Sequence, residues 1–405
     1  MLGMFLILPV FAVHAAAMPG GSDAAMVGFA FGVYGLTQAL FQVPFGAASD
    51  RFGRKPVITA GLLLMLAGSL VAAAADTVAG LALGRALQGA GAVSAALSAL
   101  LADTTRDSQR TKAMAMVGAT IGLSFAVSLV AAPLLYRAIG LSGLFVLTGL
   151  LALAGIAIVW WLVPTPGRME GAGERPGHAT VAGVAGDATT AGGGPAIGSG
   201  GSRRFAGLRK ALDPDMMRLD FGIFVLHLTQ MTLFVVVPAR LVQAVDLPLS
   251  EHWKIYLPVV VASFAVMMPP LNWAERTGQI RGLFLLAIAA QLVSQLGFAF
   301  VPPGLGSVSV FLLTFFISFN MLEALMPSLL SRLAPADGRG TAMGIFSTSQ
   351  ALGIFAGGAL GGLLVQRLGE TSVFITAGLA IVAWGLVARG ARRWPGRQGA
   401  MAQPS

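Results

Sequence analysis

Long apolar segments with almost no charged residues recur along the whole 405-residue sequence. A bilayer core is about 30 Å thick, and a helix needs about 20 apolar residues to cross it. The chain is 56% hydrophobic and only 11% charged, whereas soluble proteins carry about 25% charged residues. One soluble core cannot bury this composition, and the alternation typical of a membrane β-barrel is absent from the sequence. The sequence therefore predicts an all-α membrane protein with many spans.

The apolar segments form two sets of six, and a polar stretch separates the sets. That stretch is rich in Gly, Ala, Thr and Ser and has no apolar period, which is typical of a flexible linker. The predicted spans are 1–17, 23–45, 56–75, 78–101, 112–135, 141–163, 217–239, 253–273, 281–301, 307–331, 340–366 and 371–391. The predicted domains are a six-helix bundle at 1–164, a cytoplasmic linker at 165–215 with an interfacial helix at 205–212, a second six-helix bundle at 216–392 and a short basic cytoplasmic tail at 393–405.

The basic residues are unevenly distributed among the predicted loops. If both termini are cytoplasmic, the cytoplasmic loops and tail hold most of the 26 Lys and Arg residues, and Arg137, Arg240, Lys254 and Arg367 lie on the other side. Cytoplasmic loops of membrane proteins collect Lys and Arg, so this distribution predicts cytoplasmic termini. Bases scattered over short loops argue against nucleic-acid binding. The sequence contains no Cys, which excludes disulfides and thiolate metal sites.

The two halves carry similar motifs at nearly the same spacing. Asp50-Arg51-Phe52-Gly53 follows the second span, and Glu275-Arg276-Thr277-Gly278 follows the eighth. Arg110-Thr-Lys-Ala-Met begins the fifth span, and Arg339-Gly-Thr-Ala-Met begins the eleventh. Six helices followed by six in the same orientation form the parallel internal repeat of a large transporter class.

A short, strongly charged turn lies between spans two and three. Its glycines allow a tight turn, and its acid can face the positive N-terminus of a neighbouring helix. Its bases can reach Asp103 at the cytoplasmic end of span four. We predict that this latch group holds the two halves together in one state; the alternative is that the preference for cytoplasmic positive charge alone explains it. The predicted latch group is Gly46, Asp50, Arg51, Gly53, Arg54, Lys55 and Asp103.

Several stretches resemble a known family. Gly46-x-x-x-Asp50-Arg51-x-Gly53-Arg54-Lys55 resembles the signature loop of the major facilitator superfamily. Arg85-Ala-Leu-Gln88-Gly89-Ala-Gly91-Ala92 is similar to a second motif, common to its proton-coupled members. Four stretches resemble the YajR-like branch of its twelve-helix drug:proton antiporters, namely Met1-Leu-Gly-Met-Phe, Tyr34-Gly-Leu-Thr-Gln38, Glu251-His-Trp-Lys-Ile-Tyr256 and Asn320-Met-Leu-Glu323-Ala-Leu. The resemblance covers nearly all of 1–392 apart from the linker.

The resemblance implies two six-helix bundles around a central cavity, in a bacterial inner membrane. It implies alternating access that is driven by the proton gradient and that usually exports lipophilic compounds. It also implies that Asp50 meets the N-terminus of helix eleven and that Arg54 meets Asp103. We expect a monomer without metal or cofactor, whose partners are a small lipophilic substrate, protons and the lipid bilayer.

The sequence departs from the family pattern in spans five and one. Gly118, Gly122 and Pro133 fit the antiporter motif of helix five, but Ala131 and Ala132 stand where glycines are expected, which weakens the prediction of antiport. Span one is at the lower length limit for crossing a bilayer. It has no basic cytoplasmic flank, so we expect a truncated first helix. A signal peptide is the alternative, although the positively charged segment that such peptides need is missing.

Ionisable side chains inside spans are unfavourable to insert by about 2.5–3.5 kcal/mol and suggest function by default. Glu323 in span ten could bind a proton and release it when water enters, and Asn320 shares its helix face. Arg85 in span four keeps its charge, so it could tune a nearby carboxyl group or water chain. His227 in span seven can titrate near physiological pH. The structural alternatives are a hydrogen-bonded acid for Glu323, an ion pair or carbonyl contact for Arg85 and a helix-to-helix hydrogen bond for His227.

Polar side chains within spans predict either a cavity lining or contacts between helices. Gln291 and Gln295 in span nine fit helix contacts better, and glycine pairs in span eleven predict close helix packing. The predicted cavity residues are Tyr34, Gln38, Gln42, Gln88, Gln230 and Asn320, and the predicted packing residues are Gly118, Gly122, Pro133, Gly357 and Gly361.

These features favour some classes of function over others. Carriers of sugars or organic anions usually need several charges inside their spans, and the few present here favour lipophilic substrates. The sequence contains no His-Glu-x-x-His zinc motif and no Gly-x-x-x-x-Gly-Lys-Ser/Thr phosphate loop, which argues against an enzyme or an ATP-driven pump. A sensor without transport would need an output domain, and the linker and the tail look too simple to form one. We predict a proton-coupled exporter with no enzyme activity; the alternative is a proton-coupled uptake symporter, and a membrane sensor without transport is less favoured.

Overall fold

The computed structural model describes residues 2–91, 93–105, 107–163, 213–334 and 339–391. Within these ranges the regular elements are all helical. The helices are α1 Leu2–Phe5, α2 Leu8–Ala16, α3 Ala24–Phe52, α4 Arg54–Ala73, α5 Val78–Ala90, α6 Ser94–Thr104, α7 Asp107–Trp161, α8 Pro214–Gln243, a 3-10 turn Leu249–Glu251, α9 Trp253–Thr277, α10 Ile280–Phe300, α11 Leu305–Leu333, α12 Arg339–Leu368 and α13 Glu370–Arg389. Most of the predicted linker and the tail lie outside the described residues.

The helices follow the order of the twelve predicted spans. In the described part of the chain, nine helices are long and apolar enough to cross a membrane. One of these, α7, contains spans five and six, and Gly140 separates them with a non-helical backbone at φ 66° and ψ −175°. The short helices account for the remaining spans, because α1 and α2 occupy span one while α5 and α6 occupy span four. The predicted fold class, an all-α membrane protein, is confirmed, and the order of the described helices fits two sets of six.

The charged turn between spans two and three is as tight as its glycines suggested. Gly53 alone separates α3 from α4, and its φ of 92° lies in the left-handed region that favours glycine. The turn therefore brings the last residues of α3 and the first residues of α4 next to each other, so that side chains four residues apart can interact across it.

The two halves of the chain meet where α3 packs antiparallel against α12. At Gly28 an added Cβ would lie 2.3 Å from the carbonyl oxygen of Gly358, and at Gly35 it would lie 2.4 Å from that of Ala351. Only glycine permits this approach of two backbones. We call this contact the glycine seam, and its members are Gly28, Gly32 and Gly35 of α3 with Gly358 and Gly362 of α12.

The predicted packing residues differ in how closely they approach other helices. Gly357 packs tightly on α8, because an added Cβ would lie 2.4 Å from the carbonyl oxygen of Leu228. Gly361 makes only ordinary contacts, since its nearest neighbours would be 3.5 Å away. Pro133 is buried inside α7. Gly122 makes no such contact within the described part of the chain, because no described neighbour lies within 4 Å of its Cβ position.

The predicted packing contact of Gly118 lies outside the described residues, because the structure describes the backbone but not the surroundings of this position.

Candidate functional site

The second half of the chain brings a histidine, an acid and an amide together from three helices. His227 of α8 is buried, and its Nε2 atom lies 3.9 Å from Oε2 of Glu323 on α11. The same Nε2 atom lies 2.7 Å from the amide nitrogen of Gln350 on α12, and Nδ1 lies 3.2 Å from the carbonyl oxygen of Ile223. These contacts fit a neutral ring whose Nδ1–H donates to Ile223 while Nε2 accepts from Gln350.

The side chain of Glu323 is partly exposed, but one of its carboxylate oxygens is buried. Its side chain is 31% exposed as a whole, but Oε2 is buried and has no hydrogen-bond partner among the described residues. One turn earlier, Asn320 donates its amide to the hydroxyl of Ser263 on α9 at 3.1 Å. The predicted structural alternative, a hydrogen-bonded acid, therefore does not describe Oε2. Asn320 is instead the group that ties this part of α11 to a neighbouring helix.

An aromatic cluster connects this polar group to the first half of the chain. The ring of Phe319 on α11 lies 5.7 Å from the ring of His227. Phe125 of α7 contacts Phe319, Phe316 and Phe234, with centroid separations of 6.1, 6.0 and 6.3 Å. Phe125 belongs to the first half and its three partners belong to the second. The His227–Glu323 pair therefore lies next to an apolar contact between the halves.

Arg85 is buried in a second polar cluster, in the first half. Its Nη1 donates to the amide oxygen of Gln88 at 3.0 Å, and the amide of Gln88 donates to the hydroxyl of Ser69 on α4 at 2.8 Å. The guanidinium also lies 4.7 Å from the ring centroid of Tyr34 on α3, a cation–π contact. Within the described residues Arg85 forms no ion pair, and its Nε has no hydrogen-bond partner.

The other predicted cavity residues are less clearly grouped. Gln42 is buried, and its amide oxygen accepts a hydrogen bond from Ser94 at 3.0 Å, which ties α3 to α6. Gln38 is partly exposed and Gln230 is buried in α8. Of the two glutamines predicted to join helices, Gln291 bonds to Thr229 and Ser318, whereas neither amide atom of Gln295 has a hydrogen-bond partner among the described residues.

The described part of the latch group is held together within its own turn. Asp50 and Arg54 form an ion pair of 2.5 Å, and Arg54 also donates to Ser49. Arg51 stacks on the ring of Phe52 at 5.3 Å. The side chain of Asp103, and the surroundings of the first residues of α12, lie outside the described residues. Their predicted contacts with Arg54 and Asp50 therefore stay predictions.

Among the described residues, Lys55 contacts the end of α7. Its amine donates to the carbonyl oxygen of Val163 at 2.7 Å and lies 5.9 Å from the Trp160 ring, and its predicted contact with Asp103 stays a prediction. Val163 follows the end of α7, where the last carbonyl groups have no partner within the helix. A lysine is favourable there because it satisfies such a carbonyl and complements the helix dipole.

Several residues of these clusters were missed in the sequence. Gln350, Ser69 and Phe125 carry no distinctive local pattern, because their importance comes from contacts with distant helices. Asp220 carried a usable signal, since it is an acid within predicted span 217–239. In the structure it is 8% exposed, and its Oδ1 atom has no hydrogen-bond partner among the described residues.

The chain was compared with known families and proteins. The family model described as Major Facilitator Superfamily matches residues 1–329 and 219–399. The inner membrane transport protein YajR of Escherichia coli K12 is 38% identical over 394 residues, which cover 96% of this chain and 80% of YajR. Multidrug resistance protein MdtH of Yersinia enterocolitica is 38% identical over 90 residues, 22% of each chain.

The fold is also similar to that of solved transporter structures. The crystal structure of the human organic anion transporter MFSD10 aligns with a TM-score of 0.63 and 16% identity, and the alignment covers 96% of this chain and 97% of that chain. At this identity the likeness supports the fold alone. Together with the family match over nearly the whole sequence, it shows that this chain is a multi-pass membrane transporter of the Major Facilitator Superfamily.

Proposed function

We propose that the protein is a proton-coupled secondary active transporter that exports lipophilic small molecules by alternating access. The observation that carries this proposal is the placement of the His227–Glu323 pair beside the aromatic contact between the halves. A site at this position is affected by any movement of one half against the other, and it combines groups that bind protons with an apolar wall.

Proton coupling is supported by the chemistry of the pair. An acid inside a membrane span is a functional site by default, and a histidine can change its charge near physiological pH. Oε2 of Glu323 and Nε2 of His227 are 3.9 Å apart, so a small movement or one water molecule suffices for a proton to pass between them. Gln350 must then release Nε2, because a protonated ring has no lone pair to accept its amide.

Arg85 supports the coupling in a different way. Its charge is permanent, so it does not carry the proton. Its guanidinium instead fixes Tyr34 and Gln88 around a buried positive charge in the first half. We propose that this charge disfavours a proton nearby and sets the order in which proton and substrate occupy the cavity.

A lipophilic substrate is supported by the walls of the site. Phenylalanines from both halves adjoin the His227–Glu323 pair and are buried against one another. Separation of the halves would expose their rings, and apolar surfaces of this kind suit aromatic compounds. The similarity to YajR and the short match to MdtH, a multidrug resistance protein, point the same way. We also propose that the transporter works as a monomer in the bacterial inner membrane, with both termini cytoplasmic and with no bound cofactor, and that it is not an enzyme.

The test is ethidium export from bacterial cells that lack their own efflux transporters. We expect the wild-type protein to lower ethidium accumulation and a protonophore to abolish this effect. Glu323→Gln should accumulate ethidium like cells without the transporter. Glu251→Gln is the matched control, since Glu251 is an exposed acid paired with Lys254 at the start of α9, and it should export normally.

Two outcomes would overturn the proposal. Unchanged accumulation, with the protein present in the membrane at normal level, would exclude ethidium-type drug export. Increased accumulation that depends on the proton gradient would instead favour the uptake symporter.

A further inference from the structure

Asp220 is a buried acid that the pair described above does not include. It lies in the second turn of α8, about 9 Å from the start of that helix at 1.5 Å per residue. Its exposed fraction is 8%, and Oδ1 has no hydrogen-bond partner among the described residues. It does not cap the helix, because Asp213 occupies the N-cap and accepts from the backbone of Asp215.

Asp220 and His227 lie on one face of α8. They are seven residues apart, a rise of about 10 Å, and their directions differ by about 20° around the helix axis. The opposite face is turned towards α13, where Gly222 packs against the ring of Trp384. The side of α8 that carries Asp220 is therefore the side on which His227 meets Glu323.

In the described chain, the charged groups on and beside α8 form ion pairs with residues other than Asp220. On α8 itself, Asp215 pairs with Arg218, whose guanidinium lies near Gly390, the residue after α13, on the face opposite Asp220. Arg240 and Glu370 pair with each other at the far end of α8.

The charged groups on the other helices around α8 are also exposed or paired elsewhere. Arg332 of α11, Arg367 of α12 and Arg389 of α13 are exposed, and α12 also contributes the neutral Gln350. His14 of α2 bonds to Tyr136, and Glu251 of the 3-10 turn pairs with Lys254. The titratable groups of the described chain on the Asp220 side are thus His227 and Glu323.

We propose that Asp220 is a second proton-binding carboxyl group of the transport cycle. A proton that leaves the His227–Glu323 pair is taken up by the carboxylate of Asp220 through intervening water and leaves at the end of the molecule where α8 begins. No electrons move, and each carboxyl group returns to its starting state when the proton has left. This inference rests on the proposed proton coupling and adds the direction in which the proton leaves the site.

The contrast with Asp215 argues against a purely structural role. Asp215 is an equally buried acid on the same helix, and an arginine three residues away neutralises it. Burial of a polar group without a partner is unfavourable by about 1–3 kcal/mol in proteins. An acid kept on the inner face of a span without such a partner, in line with a histidine, fits a group that must be free to change its charge.

The first experiment detects the proton itself and needs no substrate. Infrared difference spectra of the purified full-length protein, recorded between mildly acidic and mildly alkaline pH, show the carbonyl stretch of each carboxyl group that loses its proton. We expect Asp220→Asn to remove one band that Glu323→Gln leaves in place, and Asp220→Glu to restore a shifted band. Asp76→Asn, which changes an exposed loop acid, is the matched control. A spectrum of Asp220→Asn that superimposes on that of the wild type would refute the inference.

The second experiment connects the proton to transport. In proteoliposomes with an imposed pH gradient, Asp220→Asn should slow ethidium transport about 100-fold, the scale of a lost proton-transfer group, and Asp220→Glu should restore most of the rate. Equal loss in both variants would indicate a shape requirement and overturn the relay. If the wild-type protein does not transport ethidium, the proposed substrate class fails, while the infrared spectra still decide whether Asp220 binds a proton.

Discussion

Glu323 and His227 approach each other from two helices, with 3.9 Å between Oε2 and Nε2. In the proposed mechanism the pair acts as one unit, because removal of either member would end the exchange of a proton between them. Groups that work as a unit have strongly non-additive effects on rate. The pair can therefore be distinguished from two independent polar residues by a double-mutant cycle.

We predict that Glu323→Gln, His227→Asn and the double variant slow proton-driven ethidium export to the same extent. The expected loss for each is about 100-fold, the scale of a lost acid–base group. Initial export rates in proteoliposomes provide the measurement. If the two single losses multiplied in the double variant, the residues would act independently and the pair would not be the coupling unit.

Arg85 makes contacts that a lysine cannot reproduce. Its planar guanidinium lies over Tyr34 while Nη1 donates to Gln88, and an ammonium group cannot hold both geometries at once. We predict that Arg85→Lys lowers the free energy of unfolding by about 1–3 kcal/mol, because a buried hydrogen-bonding group loses its partner. Thermal unfolding in detergent measures this. Arg137→Lys, at an exposed position, is the control and should leave stability unchanged.

At the residue scale, the sequence identified groups whose charge is unusual for their surroundings. Glu323, Arg85 and His227 are rare residue types within apolar spans, so each was visible without knowledge of the fold. Gln350 and Phe125 were not visible, because an amide or an aromatic ring is common in such helices. Their roles arise from the approach of α12 to α8 and of α7 to α11, which no local pattern specifies.

At the scale of helices, the contact between α3 and α12 depends on glycines, which have no side chain to keep the two backbones apart. The carbonyl oxygens of one helix occupy the space that Cβ atoms of the other would need. Small residues that allow close backbone approach are the usual basis of helix association in membranes. The glycine seam therefore stabilises the arrangement in which the halves touch at the end of the molecule where α3 begins and α12 ends.

We predict that Gly358→Ala opens the glycine seam whereas Gly361→Ala does not. A Cβ at Gly358 would lie 2.7 Å from Cα of Gly32, whereas at Gly361 the nearest atoms are 3.5 Å away, an ordinary contact. Overpacking of this kind costs about 1–3 kcal/mol. Thermal unfolding should show a lower midpoint for Gly358→Ala alone. Equal midpoints for the two variants would mean that the backbones separate without loss of stability.

The lengths of the apolar segments were enough to predict the helices, but not the breaks within them. The break between α1 and α2, and the one between α5 and α6, lie inside segments that read as continuous spans. The glycine seam shows the same limit. The four-residue spacing of Gly28 and Gly32 can be read from the sequence, but the helix that packs against them cannot. A glycine permits another helix to approach closely, but the packing of the whole fold decides whether one does. No described neighbour lies within 4 Å of the Cβ position of Gly122.

At the scale of the whole molecule, the two halves are joined at one end by more than the glycine seam. The backbone amide of Ala25 donates to the side-chain oxygen of Gln366 at 3.2 Å, and Phe29 meets Phe355 edge to face. Towards the other end of α3, large apolar side chains such as Val43 and Phe52 are exposed, at 68% and 65%. Alternating access requires the joined end to separate during each cycle.

We predict that fixing the joined end stops transport. The chain has no native Cys, so the double variant Ala25→Cys with Gln366→Cys provides two unique thiols at positions already in contact. A short cleavable thiol cross-linker should form within one molecule and reduce ethidium transport to background, because the halves can no longer part at this end. Cleavage of the linker should restore transport, and each single variant treated in the same way should transport normally. Complete cross-linking with full transport would show that α3 and α12 stay together throughout the cycle, and access would then have to change by movement within one half.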